Sequence, residues 1–151
     1  MLFRSEERKA NDLKVSFIIE QASGDDEEAA LYLQLLAYCA RICDDALDDF
    51  HLVDQNSILS LVENLFIRIP ANTFYKKHHD LLFSQHVTMW NAWEASNFLA
   101  SGNETQQVYA HVLRDYIVEI LPLVALITQG HNKMKEINVL IRNLFCKKLG
   151  E

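Results

Sequence analysis

The sequence predicts an all-α protein, a single-domain bundle of about six helices with a central helix over residues 26–50. Three observations carry this. Four Gly and two Pro in 151 residues leave little material for the turns of an all-β fold. Half of the residues are hydrophobic and 23% are charged, a globular composition. Apolar residues recur at helical spacing, and a chain of this length can bury roughly two-thirds of its unfolded surface without staples. No repeat, low-complexity tract or linker divides it.

The elements follow in order. Residues 5–22 make a first amphipathic helix, with Leu13, Phe17, Val15 and Ile18 turned inward, and Gly24 ends it. Asp25 and Asp26 offer an N-cap, while Glu27 and Glu28 place negative charge in the first turn, where the macrodipole favours it. Helix 26–50 has no breaker and carries a wide stripe of Leu35, Leu36, Cys39, Ile42, Cys43, Ala46 and Phe50. Asn56 or Ser57 caps a third helix, 57–69, which stops at Pro70. In the connection 70–75, Phe74 and Tyr75 plug one end of the bundle. A fourth helix, 78–100, ends at Gly102. A fifth, 104–129, kinks at Pro122, which has no N–H to donate, and a sixth spans 131–148.

A net charge of −7 argues against a general nucleic-acid binder, which needs a basic face to displace counterions. Charges interrupt Met1-Leu2-Phe3-Arg4-Ser5-Glu6-Glu7-Arg8, so no signal peptide is expected there. The apolar run Ile117–Ile127 contains Glu119 and Pro122 and is too short to span a bilayer. Cys39, Cys43 and Cys146 are an odd set in apolar helical context, the pattern of a reduced, cytoplasmic protein; Cys39 and Cys43 lack two further soft ligands for a metal.

The densest chemistry is Asp44-Asp45-Ala46-Leu47-Asp48-Asp49, at the end of the central helix. Asp44/Asp48 and Asp45/Asp49 are four apart, so each pair lies side by side, and the macrodipole at this end disfavours them further. A hard divalent cation, Mg²⁺ or Mn²⁺, would neutralise such carboxylates together with a substrate phosphate. Asp44, Asp45, Asp48 and Asp49 are therefore candidate metal ligands, with Glu94 or Glu119 completing the set from other helices. The plainer alternative is a solvated acidic helix end. On the fourth helix, Leu82, Phe83, His86, Met89, Trp90, Trp93 and Asn97 share a face. His86 and Asn97 are either satisfied structurally or belong to a pocket walled by Trp90 and Trp93, with Glu94 at its edge. His78 and His79 point about 100° apart on a helix and do not chelate one ion. On the fifth helix, Tyr109, Val112, Leu113, Tyr116, Ile120, Leu123 and Ile127 form the core stripe, with His111, Arg114 and Asp115 on the far side.

Asp44-Asp45-x-x-Asp48 resembles the first aspartate-rich motif of class I isoprenoid synthases, all-α enzymes that bind Mg²⁺ and a diphosphate; the second motif of that family has no counterpart here. Asp25-x-x-Glu28 with Asp45-x-x-Asp48 is similar to the paired acidic motifs of all-α NTP pyrophosphohydrolases of the dimeric dUTPase type. On one unbroken helix, however, Glu28 and Asp45 stand about 25 Å apart and cannot share a metal. The aspartates, Pro70-x-Asn72-x-Phe74-Tyr75-x-x-His78 and Trp90-x-x-Trp93 together resemble small helical proteins of phages and prophages, which implies no activity.

Two readings result. The first is an oligomeric interaction or structural module, a homo-oligomer or a binder of a protein partner, in which the basic last helix (Lys133, Lys135, Arg142, Lys147, Lys148) complements the acidic second. The second is an Mg²⁺- or Mn²⁺-dependent enzyme acting on a phosphorylated or diphosphate substrate. No G-x-S-x-G, P-loop or dinucleotide fingerprint is present to name a reaction.

Overall fold

The computed structural model describes residues 2–145, among which there is no strand. α1 (Leu2–Ser23) and α2 (Glu27–Asp48) meet at a corner where Gly24 has φ +56, a conformation that side-chain-bearing residues rarely adopt. A Cβ there would also come within 2.9 Å of the Gln129 side chain. Asp26 caps α2 by accepting the Ala29 N–H at 2.9 Å, as its position before two glutamates predicts.

α2 is the central helix. Tyr32, Leu33, Leu35, Leu36, Cys39 and Ile42 are buried along it, while Phe50 lies beyond its end and is exposed. α1 packs on it differently from expectation. Leu13 and Phe17 face outward; the buried line is Ile18, Ile19 and Ala22, with Val15 half-buried. The physical reason is close approach. Ala22, Ala29 and Ala125 are all fully buried where α1, α2 and the later helices converge, and a line ending in alanine lets those helices come together.

α3 starts at Gln55, two residues earlier than expected, because Asp54 rather than Asn56 or Ser57 is the cap, accepting the Ser57 N–H at 2.7 Å. Pro70 does not stop it. Gln55–Glu63 runs into a widened turn, Asn64–Arg68, in which the Ile69 N–H reaches Asn64 O, and then into Ile69–Ala71. The extra residue in that turn carries the backbone past the proline ring. The orientation of α3 is inverted. Ser57, Ser60, Leu61 and Asn64 face α2, with Asn64 buried and bonded to the Cys39 thiol, whereas its aliphatic and aromatic residues face outward.

A short α4 (Thr73–Lys77) follows, capped by Asn72, and buries Phe74 and Tyr75 as the expected plug. α5 (His79–Leu99) buries Leu82, Met89, Ala92 and Ser96. Phe83 and Trp90, expected inside, are exposed because the buried line is rotated toward the small residues Ala92 and Ser96. α5 pairs with α6 (Glu104–Arg114), which opens on a capping box between Asn103 and Gln106. The expected single fifth helix is three pieces. A 3₁₀ stretch, Asp115–Glu119, separates α6 from α7 (Ile120–Gln129), placing Pro122 in the first turn of α7, where no N–H is needed. This tightening breaks the expected stripe, so Tyr109 and Val112 are exposed while Ile120, Leu121, Val124 and Ala125 are buried. Gly130, at φ +96, turns the chain into α8 (His131–Phe145), which buries Ile137 and Ile141. The expected last turn, with Cys146, Lys147 and Lys148, lies outside the described residues.

α7 and α8 form a second hairpin, and α1 lies across both. Thr128 Oγ1 donates to Ala22 O at 2.9 Å, and Gln129 Nε2 donates to Gln21 O at 3.0 Å, tying the end of α7 to the end of α1. No helix among the described residues is long and apolar enough to cross a membrane.

Candidate functional site

The aspartates at the end of α2 do share one region, and Asp44, Asp45 and Asp49 each have a different partner. Asp45 takes the Arg8 guanidinium from α1, and Arg41 reaches back to Asp12. Arg8 and Asp12 are four apart on α1, as are Arg41 and Asp45 on α2, so two antiparallel helices with the same charge order close an alternating ring. Burial, and then Arg8, lowers the Arg41 guanidinium from its ordinary value, while Asp45 opposes this. The spacing that would have revealed the ring was present in the sequence as two i, i+4 pairs.

Asp44 points the other way, toward α5, where its Oδ1 accepts the Trp93 indole N–H at 3.0 Å. Burial pushes the Asp44 carboxyl up. The Trp93 bond and the charge of Arg114 act against this, and Asp48 and Asp45 add to it. Asp49 stops the helix: its N–H bonds Asp45 O, and its side chain accepts the His51 N–H at 3.0 Å to start the 3₁₀ turn Phe50–Leu52. Asp48 is exposed at the last position of α2.

The acids expected from other helices are placed separately. Glu119 pairs with Arg142 of α8. Glu94 is exposed on the outer side of α5, in the turn after Trp93. Among the described residues, no three His, Cys, Asp or Glu side chains are grouped so as to hold a metal ion.

The expected pocket residues likewise separate. Trp90 is exposed and tilted against Trp93, with ring centroids 5.4 Å apart. Asn97 accepts from Arg114 at 3.2 Å. His86 enters a stack that sequence reasoning missed. Its ring packs against both Tyr32 of α2 and Tyr75 of α4, 5.9 and 5.5 Å between centroids, and its Nε2 is 2.6 Å from the Tyr32 hydroxyl. Burial, then the charge of His79, lowers the His86 imidazole, and burial raises the Tyr32 phenol, so the hydroxyl and Nε2 share a hydrogen bond between two groups that both favour their neutral forms. The same burial pushes the Cys39 thiol up to about 11, so it is a packed thiol rather than a nucleophile at neutral pH.

The arrangement thus joins helices: Arg41 and Asp45 link α2 to α1, and Asp44 links it to α5. No protein-family model, curated protein or solved structure matches this chain.

Proposed function

We propose that this chain is a helical interaction module that works by presenting apolar surface to another protein. One observation carries the reading. The chain exposes 10236 Å² of surface, whereas a compact monomer of 17.4 kDa exposes roughly 7,900 Å². Large apolar side chains lie on that surface, among them Leu13, Phe66, Phe98, Tyr109 and Val112. Exposed apolar surface of this extent is typical of interaction sites rather than of isolated monomers. The test is solution mass together with titration of a dye that fluoresces on apolar surface. Assembly, or saturable dye binding by the lone chain, is the expected result; a monodisperse monomer that binds no dye would sink the reading.

A second reading, the Mg²⁺- or Mn²⁺-dependent enzyme on a phosphorylated substrate, rests on Asp44, whose raised carboxyl beside Asp45 and Asp48 a cation would bring down. The arginine and tryptophan partners already present supply part of that neutralisation, which favours the interaction module. Thermal unfolding of wild type and of Asp45→Asn/Asp48→Asn, with EDTA and then with Mg²⁺ or Mn²⁺, separates the two. The expected result is no metal-dependent rise in melting temperature for either protein. A wild-type rise that vanishes in the variant would favour the enzyme.

A further inference from the structure

The inverted α3 goes further than exposed surface in general, because its face is both apolar and almost uncharged. Ile58, Leu59, Val62, Leu65, Phe66 and Ile67 all point away from α2, with Leu59 59% and Phe66 77% exposed. The inward side is Ser57, Ser60, Leu61 and Asn64, so most of the helix's apolar residues lie outside, the reverse of what an isolated monomer needs. From Gln55 to Ile67 the only charged residue is Glu63.

We propose that this face docks a second copy of this chain, the two α3 helices lying antiparallel about a two-fold axis near Val62, with Leu59 of each protomer against Phe66 of the other. The proposal rests on the interaction-module reading and adds the occupant and the place. Area supports it. The six side chains expose on the order of 600 Å², so a symmetric pair removes about 1,200 Å² before flanking residues are added, which reaches the range of stable interfaces. Charge supports it as well. Two chains of net charge −7 associate most readily through a lightly charged region, and this one carries a single charge per copy, Glu63. A two-fold pairing also closes, leaving no face for a third copy.

The experiment is sedimentation velocity on the full chain from low to high micromolar concentration, with helicity and melting checked for every variant. Wild type is expected at twice the chain mass. Phe66→Glu and Leu59→Lys, both at exposed positions, are each expected to stay helical and run at the chain mass. An equimolar mixture of the two is expected to recover the dimer, because the antiparallel pairing sets the introduced lysine of one copy against the introduced glutamate of the other. Phe98→Glu is expected to leave the dimer intact. A wild-type dimer that survives both α3 substitutions, or that is lost in Phe98→Glu, overturns the α3 assignment and leaves the interaction reading standing. A wild-type monomer at every concentration overturns self-docking. In that case saturable dye binding that is lost in Phe66→Glu retains the interaction reading for a different partner, and no dye binding ends both.

Discussion

Tyr32→Ala is expected to destabilise the protein by roughly 3–5 kcal/mol, the range for removing a large buried aromatic, and to lower the melting temperature by on the order of 10 °C. Tyr32 is 0% exposed, and it touches three rings at once: Phe74 and Tyr75 at centroid distances of 5.9 and 5.8 Å, and His86 at 5.9 Å. Its loss opens a cavity where α2, α4 and α5 meet and leaves His86 Nε2 without its hydrogen-bond partner. Tyr32→Phe separates these effects: with the ring kept, only the unsatisfied imidazole remains, at about 1–3 kcal/mol. Equal stability of wild type and Tyr32→Ala in urea unfolding would refute the packing argument. The same stack makes the fold acid-sensitive. The folded imidazole of His86 lies below its ordinary value of about 6.5, so its contribution is full above that pH and is lost as pH falls through the folded value. Unfolding midpoints measured above and below pH 6.5 should show wild type losing more stability in acid than His86→Gln. Identical losses would mean that another group controls the response.

Asn72→Ala is expected to cost about 2–3 kcal/mol, more than an ordinary helix cap. The Asn72 carbonyl accepts the Tyr75 N–H at 2.8 Å and so starts α4, while its amide donates to Glu28 O at 3.0 Å and to Glu28 Oε2 at 3.2 Å. Thr73 adds its N–H and hydroxyl to the same carboxylate. One buried side chain therefore both begins α4 and fastens it to the first turn of α2, delivering Phe74 and Tyr75 to the core. Asn72→Asp keeps the acceptor and removes the donor, setting two carboxylates face to face. It should be at least as damaging as alanine, and wild-type stability in that variant would show that the amide contributes nothing.

What the sequence disclosed was local. Asp26 before Glu27 and Glu28, the unbroken α2, and the positive-φ Gly24 and Gly130 are each settled within a few residues, by capping, charge placement and backbone freedom. The faces were not. α1 offers two apolar lines, and which one is buried depends on alanines in α2 and α7 that allow close packing. α3 offers an apolar face and a more polar one, and the inward one, with Leu61 on the core and Asn64 bonded to Cys39, is set by contacts with α2 far away in the sequence. The aspartates were conspicuous as a cluster, but their roles follow from Arg8 and Trp93, dozens of residues away in the chain.

The lock between the ends of α1 and α7 has a consequence in time. Ala22 and Thr128 are 106 residues apart, and the length-dependent part of closing such a loop costs about 4 kcal/mol of chain entropy. The hairpins α5–α6 and α7–α8 join near neighbours and bear no such cost. During synthesis at roughly 5–20 residues per second, α1 emerges about 5–20 s before the helix that receives it. For that interval Ile18, Ile19 and Ala22 have nowhere to pack except α2, so docking of α1 is completed only after α7 and α8 have been made.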